Sequence, residues 1–244
     1  MPSSHETTAE VYRYPNLPEG YERAVLLVDK PRGWTSFDVI RKLRGLLSHA
    51  AGTRVRKIGH AGTLDPMATG LLICLIGRAT KQMEAFMGLT KTYEGTLRLG
   101  EITPSYDAET DVSEQRAWEH LTQADLETAR LEFLGLITQL PPMYSAVKVG
   151  GERLYKKARR GEEVERPTRQ VRIDALGWTA WEGPDVSFAV QCSKGTYIRS
   201  LAHDLGQRLG VGAHLVALRR TAIGPYRVAE AWTIEQLETT INAA

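Results

Sequence analysis

The sequence predicts an α+β fold, with one mixed, mostly antiparallel sheet flanked by helices and loops. Three observations predict it. Strand-like and helix-like stretches intermix without the regular βα alternation of a doubly wound fold. Two strand-like runs, "QVRIDALGW" and "DVSFAVQCSKGTYIR", flank the turn "EGPD" as the arms of a hairpin would. The chain of 244 residues, 42% hydrophobic and 25% charged, is long enough for one large globular domain with a sizeable core.

The elements follow in order. Residues 1–22 are polar and punctuated by Pro15, Pro18 and Gly20, which predicts a loosely ordered lead-in to a domain over 23–244. A buried strand over Ala24 to Val28 stops at Pro31 and Gly33. Thr35 or Ser36 caps a helix that carries Phe37, Ile40, Leu43 and Leu47 along one face. After the loop "GHAGTLDPMATG", the run "LLICLIG" reads as a buried strand. The stretch "KTYEGTLRLG" alternates, so Tyr93, Gly95, Leu97 and Leu99 share a face and Tyr93 points inward. A polar loop, "TPSYDAETD", precedes a helical pattern from Ser113 to Leu134 that ends at Gly135. Residues 140–169 depart in composition: they are basic, contain Tyr144 and Tyr155, and carry Gly-Gly and prolines, as an excursion from the core would. "SLAHDLGQRLG" reads as a helix with Leu201, Leu205 and Leu209 in line.

Bulk properties exclude several classes. A formal net charge of +2 does not by itself imply a polyanionic partner, so the distribution of cations decides. Cys74 and Cys192 lie far apart in apolar or strand-like runs, with no close Cys/His pair, and read as buried reduced thiols with no metal. The N-terminus lacks a basic region followed by an apolar one, and "GLLICLIG" is too short to span a bilayer. A cytoplasmic protein with no membrane partner is expected.

The loop "GHAGTLDPMATG" holds one carboxylate, Asp65. An Asp-Pro pair is a common helix start, where the acid caps free N–H groups and proline occupies the first helical position. The same placement keeps a carboxylate ionised, which a nucleophile or base requires, so capping and catalysis are both open. No second acid in the loop suits a glycosidase pair, and the acid would act without a cofactor. His60 reads either as a hydrogen-bonded turn residue or as a site group. In "SKGTYIRSL", Tyr197 and Arg199 fall on one strand face if the strand continues that far. An inward arginine demands an anionic partner, for which Asp65 is a candidate. Lys148, Arg153, Lys156, Lys157, Arg159, Arg160, Arg166 and Arg169 stand against four glutamates, which fits either solvated surface or a nucleic-acid contact.

Five separated stretches, "DKPRGWTS", "KIGHAGTLDPMATGLL", "KTYEG", "LPPMYSAVKVGGERLYKKAR" and "CSKGTYIRSLAHDLG", together resemble the bacterial tRNA pseudouridine-55 synthase (TruB) family, from about Leu26 to Ile234. The resemblance implies the pseudouridine synthase fold and a cofactor-free isomerisation of uridine 55 in the T-loop of tRNA. It implies Asp65 as the catalytic carboxylate and Tyr93 as a stacking group that also serves in proton removal from C5. Arg199 would pair with Asp65, and His60 would support the flipped-out nucleotide. Tyr197 and Leu218 would line the uridine pocket, while Lys30, Pro31, Gly62, Thr63 and Pro66 would support the site. Residues 140–169 would be an RNA-binding insertion carrying Lys148, Arg153, Lys156, Lys157, Arg159 and Arg160. The tRNA stem-loop is the implied partner, with no obligatory protein partner and a monomeric chain expected. Family members commonly continue into a small C-terminal PUA-type domain, and none is expected here. Two other functions stay in view: a guide-dependent rRNA pseudouridylase, whose catalytic chains share these motifs, and a non-catalytic tRNA-binding or tRNA-folding protein.

Overall fold

The computed structural model describes residues 11–13, 23–145, 147–158, 160–162 and 164–242, with backbone alone for Lys148, Val149, Arg153, Tyr155 and Lys156. Residues 1–10 and 14–22 of the expected lead-in lie outside the described residues, as does Arg159. In chain order the strands and helices are β1 (Val11–Tyr12), β2 (Arg23–Lys30), α1 (Ser36–Ala50), β3 (Ile58–His60), β4 (Thr69–Gly77), α2 (Met83–Gly88), β5 (Lys91–Leu99), β6 (Glu101–Ile102) and β7 (Glu114–Gln115). They continue with α3 (Gln123–Glu132), β8 (Gly135–Gln139), β9 (Lys148–Val149), β10 (Glu152–Arg153), α4 (Leu154–Ala158), β11 (Arg169–Glu182) and β12 (Asp185–Cys192). The last are α5 (Ile198–Arg208), β13 (Ala213–Ile223), β14 (Tyr226–Arg227) and α6 (Ile234–Asn242). The fold is α+β, as the sequence predicts. The chain forms two compact units, Met1–Leu89 with Arg219–Ala244, and Thr90–Leu218.

In the first unit β4 is the central strand. It pairs antiparallel with β2 along one edge and with β3 along the other, where Arg219 and Arg220 of β13 continue as a parallel partner. Val11–Tyr12 adds a short parallel strand to β2. Both faces of β2 and β4 are covered, which is why they read as continuous apolar runs instead of alternating ones. Leu26, Val28, Leu72 and Cys74 pack with Leu43 and Leu47 of α1 and Leu237 of α6. Leu27, Leu71, Ile73 and Leu75 pack on the opposite face with Phe86 and Ile223. Thr35 starts α1 with a capping box, its side chain accepting from the Asp38 amide while Asp38 accepts from the Thr35 amide. Phe37 is a correction to the expected face: it is 62% exposed, and Ser36 and Val39 are buried instead.

Gly70 lets β13 approach β4. Its φ is +102°, and a Cβ there would lie 2.3 Å from the Arg220 carbonyl oxygen and 2.7 Å from its amide nitrogen. Neither atom can move without breaking the strand, and an L side chain is strained at that φ. Gly70→Ala is expected to lower stability by more than about 3 kcal/mol, read as loss of soluble protein or of the thermal transition.

The second unit is built on the antiparallel order β5, β12, β11, β8, with the first part of β13 beside β5. β11 and β12 form the expected hairpin. The alternation in β5 is observed, with Tyr93, Leu97 and Leu99 buried on one side. Two expectations are corrected. The helical pattern predicted over Ser113 to Leu134 overran its start: Glu114–Gln115 pairs with Glu101–Ile102, and the helix begins after Thr122. Thr122 and Asp125 form a reciprocal capping box, a stronger start signal than the loose apolar spacing before it. The second strand of the hairpin stops at Cys192, and Gly195 (φ +82°) turns the chain. Tyr197 and Arg199 therefore do not share a strand face: Tyr197 is the N-cap of α5 and Arg199 lies in its first turn. Cys74 and Cys192 are buried and not joined in a disulfide. Among the described residues no helix is long and apolar enough to cross a membrane.

Candidate active site

Asp65 sits in a β-turn, which corrects the expectation of a helix start. The Ala68 amide donates to the Asp65 carbonyl at 3.1 Å, Pro66 takes the second turn position where its fixed φ fits, and β4 begins at Thr69. Strand β4 follows the turn, so Asp65 does not cap a helix of its own. Asp65 is half-buried, while its neighbours Leu64 and Met67 are buried.

Polar side chains from three other elements hold this turn by its backbone. Lys30, at the end of β2, is fully buried, and its Nζ donates to the carbonyls of Pro31 (3.0 Å), Trp34 (2.6 Å) and Pro66 (3.4 Å). The Gly33 amide donates to the same Pro66 oxygen at 2.8 Å. Ser36, the first residue of α1, accepts from the Leu64 amide at 2.8 Å and donates to the Leu64 carbonyl at 3.2 Å. Arg220 of β13, 1% exposed, donates to the carbonyls of Leu71 (2.7 Å), Gly62 (3.0 Å) and Thr63 (3.5 Å). Buried polar groups are costly unless hydrogen-bonded, and these three are engaged with the backbone on either side of one carboxylate. Of the motif residues, Gly62, Thr63 and Pro66 lie in or beside the turn, and Lys30, which also bonds the Pro31 carbonyl, holds it at Pro66. Ser36, read from sequence only as a candidate helix cap, and Arg220 were not singled out as site residues; the signal for Arg220 was a cation inside the apolar run "AHLVALRRTAI".

His60 ends β3 and is a strand residue, not the turn residue that its Gly-Ala neighbours suggest. Burial, and then the Arg220 charge, hold its imidazole below the ordinary range, so it is neutral at physiological pH.

In the second unit Arg199 is 4% exposed and meets Asp107, which is fully buried, at 3.3 Å. Its Nη1 donates to the Ser105 carbonyl at 3.2 Å and its Nη2 to the Tyr144 carbonyl at 2.9 Å. Asp107 Oδ1 accepts from Ser105 Oγ (2.6 Å) and from the Glu109 amide (3.0 Å). The stretch read as a polar loop is thus an internally bonded turn with Thr103, Ser105 and Asp107 buried. Tyr106 within it has φ +63°, and its ring stacks on His203 of α5 at 3.8 Å. Asp107 was missed as an arginine partner because the sequence reading looked only to the loop with Asp65. The Gln139 side chain pins the start of α5, accepting from the Tyr197 amide at 3.0 Å and donating to the Tyr197 carbonyl at 3.2 Å. The Arg169 guanidinium lies 4.9 Å from the centre of the Tyr197 ring. Tyr93 and Leu218, 8% and 9% exposed, stand on the neighbouring strands β5 and β13, and the buried Lys91 shares the Tyr93 face.

Asp204, also on α5, has its carboxyl pushed up to about 6 by burial. Its ordinary value is 3.8, so the folded state favours the neutral acid. The corresponding stability is complete below about pH 4 and is lost as pH rises through about 6. Asp204→Asn is expected to gain on the order of 1 kcal/mol at pH 8, after allowance for solvent screening, and nothing at pH 4. Urea denaturation at the two pH values reads the difference.

Residues 140–169 are stitched to the unit at their base. Leu140 accepts from Ser200 Oγ at 2.8 Å, and Pro141 accepts from Arg166 at 3.0 Å. β9 and β10 form a hairpin through Gly150 and Gly151, both at positive φ, as a two-residue hairpin turn requires. Arg160 is exposed and bonded to Glu152 and Glu162. Lys157 is half-buried, and the side chains of Lys148, Arg153, Lys156 and Arg159 lie outside the described ones.

Comparison with known families decides what this arrangement belongs to. Residues 50–198 match the TruB family pseudouridylate synthase (N terminal domain), and residues 199–244 match the tRNA pseudouridylate synthase B C-terminal domain. The chain belongs to the TruB family. A protein named tRNA pseudouridine synthase B from Opitutus terrae is 50% identical over 214 residues, 88% of this chain and 86% of that one. Its namesake from Flavobacterium johnsoniae is 46% identical over 227 residues, 92% of this chain and 99% of that one. Among solved structures, a chain in "Crystal Structure of a Cbf5-Nop10-Gar1 Complex" is 31% identical with a TM-score of 0.67, covering 88% of this chain. One in "Structure of H/ACA RNP bound to a substrate RNA containing 2'-deoxyuridine" is 28% identical with a TM-score of 0.63, also covering 88% of this chain. This TruB chain spans 53% and 52% of those two chains, about half of each. Its fold is that of the pseudouridine synthases.

Proposed function

We propose that this protein isomerises uridine 55 in the T-loop of tRNA to pseudouridine, with Asp65 as the catalytic carboxylate. The observation that carries the reading is the Asp65 turn, in which a half-buried acid sits in a segment whose backbone is hydrogen-bonded by Lys30, Ser36 and Arg220. Membership of the TruB family supports the reaction class, and the printed names of the relatives support tRNA as the substrate.

The reaction needs no external atoms. The N1–C1′ bond breaks, the uracil turns, C5 bonds to C1′, the C5 proton leaves and N1 takes a proton. Attack on C1′, addition to the base and removal of a ribose proton all require an ionised carboxylate, which Asp65 supplies. A base inside a folded loop must first leave its stack, at a cost of a few kcal/mol that aromatic stacking offsets. Tyr93 and Tyr197 provide those surfaces and Leu218 an apolar wall. Tyr93 takes part in the late proton removal, and Arg199, as the family resemblance implies, belongs to the catalytic set. Neutral His60 supports the flipped nucleotide. Lys148, Arg153, Lys156, Lys157, Arg159 and Arg160 meet phosphates, which position the RNA without reading sequence.

Incubation of purified protein with a T-arm stem-loop tritiated at uridine C5 is expected to release tritium to solvent, with no guide RNA, protein partner or added cofactor. No release from the bare stem-loop, with release restored by a guide RNA and partner proteins, would favour the guide-dependent alternative. The reading also has the protein acting as a monomer in the cytoplasm.

A further inference from the structure

We propose that Arg220 is the positioning residue of the catalytic turn, a single buried guanidinium that clamps both ends of the segment carrying Asp65. The clamp rests on the reading of Asp65 as the catalytic carboxylate. Gly62 and Thr63 accept from Arg220 ahead of Asp65, and Leu71 accepts from it behind. The segment between them is the turn itself and the first residues of β4. Nε faces one end while the two terminal nitrogens face the other, a division that requires the planar fork of arginine. Lysine carries its three donors on a single nitrogen and cannot reproduce this division between Nε and the terminal nitrogens.

The neighbouring backbone is shaped around this side chain. Arg220 is opposite Gly70 in the parallel pairing of β13 with β4, and only a glycine at that position lets the two strands approach so closely. Gly62 takes φ +100°, which turns its carbonyl toward the guanidinium, and its own Cβ position lies 3.6 Å from Nη1. Lys30 and Ser36 hold the turn at Pro66 and Leu64, the two residues that flank Asp65. Arg220 adds a side-chain tie between the flanks of the turn, inside the backbone pairing of β3 with β4. A buried guanidinium is a poor device for stability alone, because a well-packed apolar side chain of similar volume often serves as well. Its use here fits a requirement for fixed geometry, since displacement of a catalytic group by about 1 Å can cost about 100-fold in rate. Burial, and then the same charge, lower the pKa of the His60 imidazole beside the turn.

The test uses Arg220→Lys and Arg220→Met in the full chain. Single-turnover tritium release at saturating protein is expected to fall at least about 10-fold in the lysine variant and about 100-fold in the methionine variant, with T-arm affinity within about threefold of the parent. Amide hydrogen exchange over residues 62–70 is expected to rise in the lysine variant. This readout does not depend on activity and remains informative if the methionine variant fails to fold. A lysine variant with parental rate and exchange would overturn the proposal, as would a rate loss found entirely in binding. If the parent itself releases no tritium while exchange rises in the lysine variant, the clamp stands and the reading of Asp65 fails.

Discussion

Asp65→Asn is expected to lower single-turnover tritium release by roughly 10,000-fold or more while leaving the fold and T-arm binding intact. The exchange of one oxygen for an NH2 group preserves side-chain shape and removes the negative charge. The turn survives it, because the Ala68 amide donates to the Asp65 backbone carbonyl and the flanking residues are held through Lys30, Gly33, Ser36 and Arg220. The effect therefore falls on the chemical step. The measurement pairs the rate with the dissociation constant from fluorescence anisotropy on the same RNA. Retention of the parental rate would remove Asp65 from the mechanism.

Arg199→Met is expected to cost about 3–5 kcal/mol of stability and to abolish activity. The loss arises mainly from Asp107, which is fully buried and would be left charged without its 3.3 Å partner. The carbonyls of Ser105 and Tyr144 would also lose their donors, which removes one of the bonds between the basic excursion and α5. Asp107→Asn is expected to be milder, because an asparagine oxygen still accepts from Ser105 Oγ and the Glu109 amide. Its arginine, however, loses the countercharge that fixes it. The double variant Arg199→Met/Asp107→Asn should recover part of the stability lost by the single arginine change, since it leaves no unpaired buried carboxylate. Urea denaturation of the three variants checks the cycle, and additive losses would show that the pair is not coupled.

The sequence made some of this legible and concealed the rest for identifiable reasons. Period-two alternation placed Tyr93 on the buried face of β5, and the apolar run from Ala24 marked a strand covered on both sides. Local chemistry narrowed the α1 cap to Thr35 or Ser36, and Thr35 is the one that caps. What failed was boundary and partner assignment. The hydrophobic pattern carried one helix back to Ser113, although Thr122 and Asp125 form the capping box that starts it. Alternation was extended past Cys192, although Gly195 turns the chain and makes Arg199 a helical residue. Asp65 looked like a helix cap because Asp-Pro serves both helix starts and β-turns, and only the strand that follows separates them. Arg220 and Asp107 act on groups more than 90 residues away in sequence, the first on backbone carbonyls and the second on Arg199. No local pattern encodes contacts at that range, so a buried cation in an apolar run or an acid in a polar loop shows its role only once the sheet is assembled.

The most direct measurement of the central claim is to map pseudouridine, nucleotide by nucleotide, on a full-length unmodified tRNA transcript after incubation with the purified protein alone. The account predicts stoichiometric conversion at uridine 55 and none elsewhere, and no conversion with Asp65→Asn. Conversion at another position, or none until a guide RNA or partner protein is added, would contradict it.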